Sequence, residues 1–208
     1  MKQYKKLLLV LVAVLMFFAL SNRTFAQRPR FGMQLGLGGG TFSPVDPAEY
    51  FDKTTMLNLD FQLLFDIYAF RFGLTVGYTP LIVTLTVTDG WGTIYSDDYT
   101  YVFLPVMADF AIMPLRFFLP NLAFQLFVGG CAGAFNYSVL EVDNSNESQF
   151  AIGGKAGFEF YIGEWFVVSL EGRYVRVSEH PDWPGTDLSF FNALLNFRFR
   201  IPLIKREF

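Results

Sequence analysis

The sequence has a single histidine, His180, in the segment VSEHPDWPG, with Ser178 and Glu179 beside it. An imidazole near a hydroxyl is the pairing that acyl-transfer chemistry uses, the base activating the oxygen. Here the histidine directly precedes Pro181 in a long connection, the setting of an ordinary loop residue, and no catalytic role is expected of it. Cys131 is the only cysteine, so it forms no internal disulfide; between Gly129 and Gly133 it suits a small buried filler. LGLGGG at 35–40 lies in an alternating segment with no helix after it, which excludes a nucleotide-binding loop. Ten charges carry more information. Asp60, Asp66, Asp109, Glu159 and Glu171 balance Arg71, Lys155, Arg173, Arg198 and Arg200, and all ten fall on one phase of alternating segments. Buried charges persist when they are paired and hydrogen-bonded. The expectation is a structural polar network that ties strands together; the functional alternative is a narrow proton or ion path, or a gate.

A second group of charges lies between the alternating segments. Asp46, Glu49, Asp52, Asp89, Asp97, Asp98, Glu141, Asp143, Glu147, Glu179, Asp182 and Asp187 are opposed there only by Lys53 and Arg176. Hard cations need several oxygen ligands, and no EF-hand-like spacing is present, so no metal site and no cofactor are specified. The acids suit a solvated, repulsive surface, with divalent bridging to phosphorylated lipopolysaccharide or a cationic partner as the sharper reading. Trp91, Asp97, Asp98, His180 and Trp183 are the candidate loop interaction residues. Arg28, Arg30, Arg71, Arg116, Lys205 and Arg206 gather at the opposite end, where basic residues suit an anionic leaflet.

The elements that position these residues are strands. In LNLDFQLLFDI, residues 57–67, the odd positions are all large and apolar, while the even ones are Asn, Asp, Gln and Asp, with Leu64 the one break. Side chains alternate across a strand, and the same pattern recurs at 31–39, 70–78, 102–112, 122–134, 150–160, 166–174 and 191–201. The apolar phase contains no charge. The other phase carries the ten charges together with Gln34, Asn58, Gln62, Thr75, Gln125, Ser169, Asn192, Asn196 and many glycines.

Two solvents could explain this. A soluble barrel would place the apolar phase inside, but an eight-stranded interior is only just filled by side chains, and this phase is too bulky for it. Glycine suits a crowded concave face and Phe a roomy convex one. The apolar phase is therefore expected to meet lipid, where an Arg or Lys at mid-bilayer costs about 2–4 kcal/mol. Closure follows, because lipid offers no partner to an open edge. Short connections at 67–69, 113–121 and 161–165 alternate with long ones at 42–55, 79–100, 136–149 and 176–189, as they do in outer-membrane barrels. The flanks LIVTLTVT and IYSDDYTY around Asp89-Gly90 are expected to extend one hairpin beyond the membrane.

Residues 1–26 read as a cleavable signal peptide: Lys2, Lys5 and Lys6, then the apolar run Leu7–Leu20, then Thr24 and Ala26 at a small-residue cleavage site. Fourteen residues fall short of the roughly 20 that a membrane helix needs. Its loss removes four cations from a chain of net charge −3, leaving −7 on residues 27–208, which excludes nucleic acid as a partner. One domain is expected, an all-β, eight-stranded antiparallel up-and-down transmembrane barrel with both termini periplasmic.

The eight strands, the export signal, YVFLPVMADF at 101–110 with Pro105, and the Gly-rich LFVGGCAGAF at 126–135 resemble the small outer-membrane β-barrels of Gram-negative bacteria, of the OmpX and OmpA type and in particular the PorT-like barrels. That resemblance implies a location in the outer membrane, among lipid and lipopolysaccharide, and no functional residue carries over from it. It also frames the functional expectation: a non-enzymatic structural or surface-interaction protein acting through four acidic loops. The alternatives are an accessory subunit of an envelope secretion or assembly complex, docking an envelope protein partner, and a lipid A-modifying enzyme built around His180.

Overall fold

The structure is a computed structural model, and it describes residues 31–45, 56–88, 94–120, 122–139, 146–178 and 189–203, with the backbone alone for 44, 81–88 and 94–99. The signal segment 1–26, Trp91, His180, Trp183, most of the loop acids and the terminal basic residues lie outside the described residues, and Asp97 and Asp98 are described in backbone only.

Eight strands run in chain order: β1 (Phe31–Pro44), β2 (Met56–Ile67), β3 (Phe70–Thr88), β4 (Ile94–Ile112), β5 (Phe124–Val139), β6 (Glu147–Ile162), β7 (Phe166–Val177) and β8 (Phe190–Pro202). Each pairs antiparallel with its sequence neighbour, and β1 pairs with β8, from Gly32↔Pro202 to Pro44↔Phe190, which closes the barrel. One end carries the three short connections (the turn end) and the other the long ones (the loop end).

Burial alternates strictly along β2, from buried Met56 and exposed Leu57 to buried Asp66 and exposed Ile67. The exposed phase is the apolar one: Leu57 is 65 %, Phe61 62 % and Phe197 58 % exposed, whereas Asp60, Gln62, Asp66 and Arg198 are buried. A polar interior wrapped by bare Leu and Phe is stable only in hydrocarbon, because water would reward the opposite arrangement. The barrel is therefore transmembrane. Leu64, the break in the sequence pattern, points inward and is fully buried. Glycine permits the close approach of β5 to β4: a Cβ on Gly129 would lie 1.9 Å from the carbonyl oxygen of Phe110, and one on Gly133 would lie 2.0 Å from that of Val106.

The structure corrects the sequence reading in four places. β1, β5, β6 and β7 extend past the alternating runs at the loop end, β5 to Val139 and β6 from Glu147, while the 19 residues each of β3 and β4 agree with the hairpin extension expected from the flanks of Asp89-Gly90. About 9–11 residues suffice to cross a membrane, so this hairpin projects, and among the described residues β3 from Thr79 and β4 up to Tyr99 form a ladder with each other alone. The 113–121 connection contains a helical turn, α1 (Leu115–Phe118), and Leu122 precedes β5 instead of belonging to it. Arg116, expected at a basic rim, is buried at 5 % exposure. Val102, on the outward phase of β4, is also buried, between Pro80 and Ser138 of the flanking strands.

Candidate functional site

The bore holds all ten charges singled out from the sequence, each at most 5 % exposed. Alternation aims them inward, and pairing across the barrel satisfies them. At the turn end Asp66 is the hub. Its Oδ1 accepts from Arg71 Nε at 2.8 Å, and its Oδ2 accepts from Gln34 Nε2 at 2.8 Å and Arg116 Nη2 at 3.1 Å, with Arg200 Nη2 at 3.9 Å. Arg71 reaches on across the bore to Glu159, donating both terminal nitrogens to its two carboxylate oxygens. Glu159 also accepts from Arg198 Nη1 and from the Tyr161 hydroxyl at 2.8 Å.

Arg198 passes the network upward, donating to Gln62 Oε1 at 2.7 Å and lying 3.7 Å from Glu171 Oε2. Glu171 takes Arg173 at 2.6 Å, and Arg173 spans to Asp60 at 3.2 Å. Asn58 donates to Asp60 at 2.8 Å and accepts from Thr79 at 2.7 Å. A separate cluster joins Lys155 Nζ to Asp109 at 2.7 Å, with Thr75 donating to the other oxygen of the same carboxylate. Every strand except β5 contributes a side chain to these two clusters. Bidentate and shared pairs of this kind give buried charges the geometry they need.

Three members were not found from the sequence: Thr79, one step past the run 70–78, then Arg116 and Tyr161. Arg116 enters from α1, donating to the Tyr68 carbonyl at 2.8 Å, to Asp66 and to the Tyr161 hydroxyl, with its guanidinium 5.4 Å from the Tyr161 ring centroid. A four-residue helical turn has no period to read. Tyr161 lies on the phase of Lys155 and Glu159, and extending that alternation by one step would have found it. Tyr68, whose carbonyl Arg116 holds, adopts φ 56° in the two-residue turn from Ile67 to Phe70.

The bore is not polar throughout. Toward the loop end, inward positions become apolar: Phe42, Met56, Phe103, Met107, Phe135, Tyr137, Ala151, Val175, Val177 and Phe190 form one buried cluster with Cys131. Four rings close a cycle across the barrel. Phe42 stacks on Phe103 at 5.7 Å and on Phe190 at 4.4 Å between centroids, and Phe135 meets Phe103 at 5.4 Å and Phe190 at 5.5 Å. This aromatic gasket lies above the ion pairs and separates them from the loops.

On the outside, a shallow apolar groove of about 430 Å³ crosses β1, β6, β7 and β8, where Gly39, Ala156, Gly172 and Ala193 replace large side chains. Among the described residues, no group of three or more His, Cys, Asp or Glu side chains is placed to hold a metal ion. The bore's described side chains can thus hold strands in register.

A closed, eight-stranded antiparallel barrel with an apolar exterior and a filled bore defines the class of small transmembrane β-barrels, with the fold of the outer-membrane representatives. No protein-family model matches the sequence, and no curated protein matches it. Among solved structures, the chain is similar to Neisserial surface protein A, NspA, with 12 % identity and a TM-score of 0.52, covering 83 % of this chain and 97 % of that one. It is also similar to the outer membrane protein OprG from Pseudomonas aeruginosa, with 11 % identity and a TM-score of 0.50, covering 85 % and 98 %. At these identities the likeness is one of fold.

Proposed function

We propose that this chain is a non-enzymatic barrel of the outer membrane that displays its loop end, above all the projecting β3–β4 ribbon, as an interaction surface. One observation carries the reading: the bore is filled twice over, by ion pairs and by the aromatic gasket. A wall that neither conducts nor reacts leaves the ends of the barrel to do the work. The ribbon extends beyond the membrane, and among the described residues its outer edges, 79–88 and 94–99, have no backbone ladder to β2 or β5. Open edges are where an extended partner segment can add.

The test combines conductance with photocrosslinking in native membranes. Planar bilayers containing the protein should show no porin-like steps. A photoreactive residue at Thr86 should capture a partner that one at Glu164, in the β6–β7 turn, does not. Capture at position 164 alone would shift the role to an accessory subunit working from the turn end, and porin-size conductance would overturn the sealed-bore premise.

A further inference from the structure

We propose that α1 and the residue after it form a one-sided foot that inserts into the lipid interface at the turn end, extending the lipid-facing belt beneath β3, β4 and β5. The inference rests on the transmembrane reading of the barrel. Consecutive residues of this turn divide sharply. Arg116 points into the bore and is held there by Asp66, Tyr161 and the Tyr68 carbonyl. That latch fixes the rotation of the helical turn, and the next three residues face outward: Phe117 is 44 %, Phe118 83 % and Leu119 53 % exposed. Leu119 cannot swing away freely, because its amide donates to the Leu115 carbonyl at 2.7 Å and its own carbonyl accepts from Gln125.

The identity of the occupant follows from continuity with the belt. Phe117 packs edge-on against Tyr68 at 5.8 Å and Phe70 at 6.0 Å, and Phe70 stacks on Phe110 at 6.4 Å. Phe70 and Phe110 belong to the outward phase that meets lipid. The apolar surface therefore runs without a break from the hydrocarbon belt down onto the foot, and phospholipid is what already covers its upper edge. Aromatic rings are favoured at that interface. The other two turns add far less: Tyr68 with buried Ala69 in one, and in the other Trp165, stacked on Phe199 at 5.7 Å. The foot is thus confined to one side. It lies at the lower end of β4, the strand whose upper end builds the projecting ribbon.

Site-directed spin labelling in phosphatidylcholine vesicles tests this. In a Cys131→Ala background, nitroxides are placed singly at positions 72, 118 and 164, with folding of each variant checked by heat-modifiable migration. The ratio of collisions with oxygen to collisions with a water-soluble nickel chelate should be high at 72. At 118 it should fall between the other two and exceed 164 severalfold. A ratio at 118 equal to that at 164 would place the foot in water and overturn the proposal. Protection of 118 from both reagents in native membranes, but not in vesicles, would overturn it in favour of a protein partner. An aqueous ratio at 72 would instead remove the transmembrane reading itself. Position 119 serves as a second label site with the same expectations if the 118 variant does not fold.

Discussion

Glu159 is the residue on which the ion-pair network can be tested most sharply. It is fully buried, and its two oxygens accept two bonds from Arg71, one from Arg198 and one from Tyr161. Glu159→Gln keeps the shape and removes the charge, turning an amide nitrogen toward a guanidinium. Removing one partner of a buried pair costs about 3–5 kcal/mol, mostly through the charge left behind. Here the partners are not wholly stranded: Arg71 keeps Asp66 at 2.8 Å, and Arg198 keeps Gln62 at 2.7 Å and Glu171 at 3.7 Å. The expected loss is therefore at the lower end, about 3 kcal/mol, or a drop of about 1–3 M in urea midpoint for slopes of roughly 1–3 kcal/mol/M. The assay is reversible urea unfolding in lipid vesicles, followed by tryptophan fluorescence. Adding Arg198→Gln should recover part of the loss, since the second change removes a cation that the first left short of a partner. Glu164→Gln, on the exposed β6–β7 turn, should stay within about 0.5 kcal/mol of the parent. If Glu159→Gln behaves like Glu164→Gln, the network is not what holds the strands in register.

Three further changes probe other layers of the barrel. Phe61→Arg places a cation on the lipid-facing phase of β2, where Phe61 is 62 % exposed, and should cost about 2–4 kcal/mol in vesicles while leaving detergent-solubilised protein less affected. Gly133→Ala puts a Cβ 2.0 Å from the Val106 carbonyl, so β5 must move off β4; slower insertion and a lower midpoint are expected, by more than the roughly 1 kcal/mol that glycine's flexibility alone would return. Phe190→Ala removes a fully buried ring that touches Phe42 and Phe135, and should cost about 3–5 kcal/mol by the same unfolding assay.

The outer surface was legible because lipid imposes a one-sided rule: no charge may stand there, and along β2 every second residue obeys it. The ten bore charges were legible for the same reason, since a charge in a membrane strand can only point inward. The gasket was not. Around Val102-Phe103-Leu104 both phases are apolar, so period 2 loses its contrast and the inward Phe103 reads like its outward neighbour Leu104. Phe42 and Phe190 lie one to three residues past the segments where alternation was still visible. Arg116 escaped because its position depends on the chain turning back on itself at Pro114, and its partners Asp66 and Tyr161 are distant in sequence.

The order of the layers has a consequence of its own. Charge pairs are strong where water is absent and weak where it is present. The gasket lies across the bore toward the loops, and Arg116 with α1 occupies the turn end, so the pairs between them are buried from both sides. If the gasket keeps them dry, its removal should weaken them without any direct contact. Independent sites add to within about 0.3–0.5 kcal/mol. Phe190 and Glu159 share no partner among the contacts described above, so by that rule Phe190→Ala and Glu159→Gln should simply sum. With a drying gasket they should not. Water admitted by Phe190→Ala would lower both the Coulomb gain at Glu159 and the penalty of a stranded guanidinium, so Glu159→Gln should cost at least about 1 kcal/mol less in the Phe190→Ala background than in the parent. The cycle is measured by urea midpoints of the four proteins in one lipid. Additivity within about 0.5 kcal/mol would mean that the aromatic layer only fills space, and that the dryness of the ion pairs comes from their own close packing.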